Sequence, residues 1–161
     1  MTTPLSATPA QLIDAYSQGP TILRDALAGM DDEALRARPI AGKMSSLEVL
    51  SHIVDSDQFM CDRVKRTIAT ASPLLMGVES ASYPGPLSYH ERDPELDLRL
   101  LSVQREQLAA DLARLAPEVW ERTAVHSEAG TQTLHEIFHH AVEHLEEHVF
   151  AILAKRAALG L

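Results

Sequence analysis

The sequence predicts an all-α fold, a four-helix bundle, on three observations. Ala and Leu dominate while aromatic residues make up only 4% of the chain, a composition that favours helix over the β-branched and aromatic mix of sheets. Helix-start signals recur four times, each followed by apolar residues at helical spacing. The length of 161 residues suffices for one substantial core, so a single domain spanning residues 1–161 is expected.

Thr8 followed by Pro9 reads as an N-cap and first helical position. The helix it opens carries Leu12, Ile13, Tyr16, Ile22, Leu23, Ala26 and Leu27 and runs toward Gly29, with a kink expected at Gly19-Pro20. Ser45 with Glu48 forms a capping box, and a second helix extends from Leu47 to about Thr70 with Val49, Leu50, Ile53, Met60, Cys61, Val64 and Ile68 in helical phase. Pro73, Gly77, Pro84, Gly85 and Pro86 then break up about twenty residues, leaving a long loop without a regular element. Asp93-Pro94 restarts a helix whose apolar side is read as Leu96, Leu100, Leu101, Val103, Leu108, Leu112 and Leu115, ending before Pro117. Residues from Glu118 to Gly130 form a connection with a short turn around Trp120. Thr133 with Glu136 makes another capping box, and the fourth helix follows to about Ala158.

Four such helices bury their apolar stripes most simply against one another. At ~1.5 Å per residue the second helix is roughly 35–40 Å long, and the loop after it is long enough to run back along that length. The loop thus allows the second and third helices to be parallel, giving up-down-down-up topology rather than a simple meander, a choice that the length of the other two connections leaves open.

Acidic residues number 23 against 14 Lys plus Arg, a net charge of −9. Such a surface repels phosphate backbones and anionic headgroups, which argues against nucleic acid and membranes as partners. No window reaches the ~20 apolar residues of a membrane span, the first residues lack a signal-peptide pattern, and the single cysteine forms no internal disulfide; a cytoplasmic protein is expected.

Histidine is the anomaly. Five of the eight fall between His135 and His148. His140, His144 and His148 recur at intervals of four and stack along one side of the fourth helix, whereas His135 and His139 point elsewhere. Relative to the stripe of Leu134, Phe138, Ala141, Leu145, Val149 and Ile152, His148 lies near the border, His144 further round and His140 furthest. Two histidines four apart can hold one metal ion, but a third ligand from another helix is required. Outside the cluster stand His52, His90 and His126, of which only His52 is on a helix. The same Glu- and His-rich string also fits a solvated face.

The chain resembles the DinB-like family, which includes YfiT-type proteins. The resemblance covers nearly the whole length: YSQGPTILRDALAGM and ARPIAGKMSSLEVLSHIVDSD are similar to the family's first helix and its approach to the second, and TLHEIFHHAVEHLEEHVFAIL to its final helix. The resemblance implies a four-helix bundle with a three-histidine metal site on His52, His144 and His148, and it matches His140 to a histidine that is not generally a ligand. Met44 stands where a Trp is usual and Glu147 where another His often precedes the last ligand; neither alters the ligand set.

Three imidazoles leave a coordination position for water or substrate, as in catalytic sites. All-imidazole ligation suits zinc, nickel, copper or iron; zinc and nickel are the first expectations, with iron or manganese as further candidates. Unperturbed imidazoles would lose a metal below about pH 6.

Asp57 falls near the middle of the second helix's apolar stripe, where an unpaired carboxylate is costly: it is either a hydrogen-bond acceptor or base beside the metal, or else half of a structural ion pair or a displaced surface residue. Asp55 reads as solvent-facing and Cys61 as a small core residue. Tyr83, Tyr89 and His90 are placed to line the site or to pin the long loop, and His126 is a candidate for facing the pocket.

The resemblance implies a metal-dependent enzyme acting on a small-molecule substrate, of S-transferase type with a low-molecular-weight thiol or of hydrolase type with water. A thiol cosubstrate is usually anionic and calls for basic side chains at the pocket. Among Arg63, Lys65, Arg66 and Arg92, Arg63 is the first candidate for cofactor binding, being about three turns beyond His52 on the same side of the helix. The alternative is a non-catalytic bundle that binds a metal or a partner in a stress response. A homodimer is an assembly the sequence allows.

Overall fold

The computed structural model describes residues 2–161. Helix α1 (Pro9–Leu27) begins as its sequence dictates, with the Thr8 side chain accepting from the Gln11 N–H and Pro9 in the first turn. A short α2 (Asp32–Arg36), capped by Asp31, fills the connection. Ser45 and Glu48 cap α3 (Ser46–Ala69) reciprocally, Asp93 caps α4 (Pro94–Leu112), and Thr133 with Glu136 caps α5 (Leu134–Leu159), which ends on Gly160 in the left-handed region at φ +77°. Among the described residues, no helix is long and apolar enough to cross a membrane.

The side-chain pairings fix the directions. Ser51 donates to Asp97 and, about two turns further on in both helices, Arg105 donates to Asp57, so α3 and α4 run parallel. Tyr16 meets Phe138 at one end of α1 and α5 while Arg156 reaches the Ala26 carbonyl at the other, so these two are also parallel. His52 packs against His148, whereas Asp57, further along α3, is joined through Arg105 to Ala141, earlier in α5, so α5 is antiparallel to α3. The topology is up-down-down-up, with α1 and α3 on opposite corners, each flanked by α4 and α5.

Three departures from the sequence expectation are informative. The buried side of α4 carries Asp97, Leu98, Leu101, Arg105, Leu108, Ala109 and Leu112. Leu96, Leu100 and Val103 are exposed instead, as is Ile22 on α1. A stripe centred on leucines alone rotated the α4 face, because its true centre is an arginine. Second, the loops contribute a small sheet in which β1 (Leu74–Leu75) pairs in parallel with β2 (Thr123–His126), and β2 pairs antiparallel with β3 (Gly130–Thr133). Strands of two to four residues are too short to register as alternation. Third, Asp55 faces inward: its carboxylate takes both terminal nitrogens of Arg92 at 2.8 and 2.9 Å and the Tyr89 hydroxyl at 2.7 Å. Tyr89 thereby pins the long loop to α3, and Arg92 is committed to Asp55.

The core divides into two apolar clusters, one around Tyr16, Val64, Leu108 and Phe138 and one around Leu23, Leu50, Leu101 and Ile152. Between them lies Arg105, only 2% exposed. Its Nε and Nη2 donate to one Asp57 oxygen at 2.9 and 2.6 Å; Gln104 and the Tyr16 hydroxyl donate to the other at 2.9 and 3.1 Å. The guanidinium lies 4.1 Å over the Tyr16 ring. Its remaining donors reach the carbonyls of Tyr16, at 3.2 Å, and Ala141, at 3.4 Å. The Tyr16 contact follows from Pro20: a proline has no N–H, so the carbonyl four residues earlier loses its helical partner, and Arg105 supplies one. Gly19 makes room for this, since a Cβ there would sit 2.4 Å from Arg105 Nη1.

Candidate metal centre

α3 and α5 cross where each presents imidazoles toward the other. The Nε2 atoms of His52 and His144 are 3.3 Å apart, and those of His148 and His144 are 3.2 Å apart. All three donor atoms lie within 4.8 Å of one another. Nitrogens at ~2.0–2.1 Å from a tetrahedral zinc would be separated by about 3.3–3.4 Å, so two of the three spacings already match a shared ion. The donor set, three neutral imidazoles from two rigid helices, is one a divalent transition metal accepts.

Electrostatics keep these rings uncharged. Burial pushes His144 down to about 3, reinforced by repulsion from His148, His52, His140 and Arg105. Burial likewise lowers His148 to about 4, with His52 and Lys155 adding to it. His52 is lowered by burial, against the opposing pull of Asp55. Coordination requires neutral imidazole, so metal retention should extend well below the pH 6 limit expected from unperturbed rings.

The same shifts set the acid response of the metal-free protein. An unfolded imidazole titrates near 6.5, above the folded values of His144 and His148, so between those limits the unfolded chain binds more protons. Stability must therefore fall as pH drops from about 6.5, by up to about 1.4 kcal/mol per pH unit for each group. Urea unfolding of the metal-free protein between pH 6.5 and 5, above the usual carboxylate range, should show this slope, and His148→Gln should flatten it. A profile unchanged by His148→Gln would contradict the assigned burial of that ring.

The remaining histidines separate cleanly. The Nε2 atoms of His135 and His139 are hydrogen-bonded at 2.8 Å to the carbonyls of Ala7 and Thr3, tying down the N-terminal segment. His90 is exposed beside Glu91. His140 has its ring centre 6.2 Å from that of His144. It borders, with His144, a cavity of about 290 Å³ whose wall also includes Ser56, Arg63, His126 and Glu128. The hairpin β2–β3 delivers His126 and Glu128 to this wall. His126 Nδ1 accepts from the backbone N–H groups of Glu128 and Ala129 at 3.2 and 3.3 Å, an arrangement that assigns its proton to Nε2. Arg63 lies in the wall as well, with Nη2 on the Met76 carbonyl at 2.9 Å; burial lowers its pKa against the pull of Glu128. Tyr83 packs edge-on against Phe59 of the same wall.

Of the readings of Asp57, the structure realises the ion pair: its carboxylate is satisfied by Arg105, Gln104 and Tyr16, and none of these bonds involves a histidine. Cys61 is a buried core residue. Three features were not singled out from the sequence. Arg105 stands four residues after Leu101 and three before Leu108, a charged residue in an apolar phase. Ser56 stands four after His52, and its buried hydroxyl has no hydrogen-bond partner among the described residues. Glu128 carried no signal, because its position depends on a hairpin.

The sequence profile of the DinB superfamily matches residues 15–152. A Bacillus licheniformis protein named "Putative metal-dependent hydrolase" is 26% identical over 161 residues, covering 98% of this chain and 92% of its own. Among solved structures, YfiT from Bacillus subtilis, described as "a probable metal-dependent hydrolase with an unusual four-helix bundle topology", matches with a TM-score of 0.89 at 21% identity, over 99% of this chain and 94% of its own. A mycothiol-dependent maleylpyruvate isomerase matches with a TM-score of 0.72 at 11% identity, over 93% of this chain and 62% of its own. At such identities the two structures establish the shared fold.

Proposed function

Since the chain belongs to the DinB superfamily, we propose that it is a metal-dependent enzyme of hydrolase type that holds one divalent ion on His52, His144 and His148. The observation that carries this reading is the convergence of their three Nε2 atoms, with spacings of 3.3 and 3.2 Å about His144. Zinc or nickel is the first expectation for the ion, with iron or manganese as further candidates. Bound there, the ion would supply Lewis acidity and lower the pKa of a ligand water toward neutrality.

The chain's own residues would position the reactants. The unpartnered Ser56 hydroxyl can accept from, or donate to, a water or substrate oxygen in the cavity. His126, locked by two backbone donors, presents Nε2–H as a fixed hydrogen-bond donor. The cavity, about 290 Å³, sits at the lower limit of ordinary ligand pockets, roughly 300 Å³, which favours water and a small substrate over an extended cosubstrate. One observation favours thiol transfer instead: Arg63 lines the same cavity and can pair with an anionic thiol.

The test is turnover of p-nitrophenyl acetate and of 1-chloro-2,4-dinitrobenzene by metal-loaded, tag-free protein, with and without a panel of low-molecular-weight thiols. Turnover with water alone that disappears in His148→Ala supports the hydrolase. Turnover only with a thiol, weakened in Arg63→Met, replaces it with the transferase. No turnover with zinc, nickel, iron or manganese leaves a non-catalytic metal-binding bundle.

A further inference from the structure

The stripe of α5 that carries the histidines continues to a lysine. Lys155 lies seven residues beyond His148, close to two full turns, and so on the same side of the helix. It is only 3% exposed. Its hydrogen bond goes to the Ala151 carbonyl of its own helix, at 3.0 Å, and no described carboxylate comes within ion-pair distance of its ammonium. In a chain of net charge −9, a buried cation without an acidic partner is costly. Burial and the nearby Lys43 lower its pKa.

What surrounds Lys155 suggests the missing partner. It lines a second cavity, of about 390 Å³, whose other walls are Ile40, Met44, Val49, Lys43 and His148, together with two alanines of α5. This hollow borders the triad through His148, whereas the cavity described above borders it through His144. Its surface is apolar apart from two ammonium groups and one imidazole. Two cations in an otherwise greasy hollow fit an anion that carries an apolar tail.

We propose that this hollow is a binding site for a small amphipathic carboxylate, with the carboxylate held by Lys155 and Lys43 and the apolar part lying on Ile40, Met44 and Val49. The adjacent His148 would bring such a ligand next to the metal, so its role as the substrate's site rests on the metal-dependent reading; the binding itself does not.

The experiment is calorimetric titration of the full-length, chelator-treated protein with hexanoate, and with hexanamide as the neutral control. Hexanoate should bind saturably and hexanamide at least about tenfold more weakly. Lys155→Met should weaken hexanoate by at least about tenfold while Lys155→Arg stays within about threefold. Because removing an unpaired buried charge relieves a cost, Lys155→Met should also melt at a higher temperature than the parent. Unchanged hexanoate affinity in Lys155→Met, equal binding of the amide, or a Lys155→Met variant that melts lower or fails to fold while Lys43→Met keeps full hexanoate affinity would overturn the assignment. Binding that appears only after metal is added would place the anion on the ion rather than on the lysines, and would overturn it too. Failure of the metal reading shows separately, as absent stoichiometric metal with hexanoate binding intact.

Discussion

His144→Ala should abolish stoichiometric metal binding, and more completely than either His52→Ala or His148→Ala. The reason is geometric: His144 Nε2 is the common vertex, 3.3 Å from one partner and 3.2 Å from the other. Removing it leaves only His52 and His148, whose rings pack with centroids 4.7 Å apart but which supply two donors where an ion needs at least three. Loss of a group that merely orients a ligand costs about 10–100-fold in affinity, and loss of the ligand itself should exceed that. Elemental analysis of tag-free protein after dialysis measures the occupancy, and the rise in melting temperature on adding zinc or nickel measures the coupling to folding. Both should vanish in His144→Ala. His135→Ala and His139→Ala should keep the metal, since their Nε2 atoms are occupied by backbone carbonyls; the loss there should be in anchoring of the first residues. Equal metal loss in all these variants would mean that the cluster binds ions loosely, without a defined site.

The largest effect on stability should come from the Arg105–Asp57 pair. Both side chains are 2% exposed, so truncating one strands the other's charge in the core, at a cost of about 3–5 kcal/mol. Arg105→Ala also removes the donors to the Tyr16 and Ala141 carbonyls, which places it at the upper end. Asp57→Asn should destabilise the protein strongly in urea, yet leave metal occupancy intact wherever the variant is folded. Gly19→Ala should act on the same pair from outside by displacing Nη1. If Asp57→Asn instead left urea stability within about 1 kcal/mol and weakened metal binding about 10–100-fold, the carboxylate would be serving the metal site and the ion-pair account would fail.

The helices and their order were legible because their signals are local. Thr8, Ser45, Asp93 and Thr133 each mark a start within a few residues of the apolar run they introduce, and the length of the loop after α3 permitted the parallel α3–α4 pairing. The four-residue spacing of His144 and His148 put both imidazoles on one side of α5 from the sequence alone, and resemblance supplied His52. The rest needed the folded chain because it depends on contacts between residues far apart in sequence. Asp57 had to be paired if buried, but only the register of α3 against α4 decided that its partner is Arg105. The wall formed by His126 and Glu128 depends on β2 pairing with both β1 and β3, strands too short to carry a periodic pattern. Asp55 looked solvent-facing on its own helix and is covered by Tyr89 and Arg92 from the loop. Lys155 carries no distinguishing signal in the sequence; its burial beside Lys43 and its lack of an acidic neighbour exist only once α3 and the segment before it close over α5.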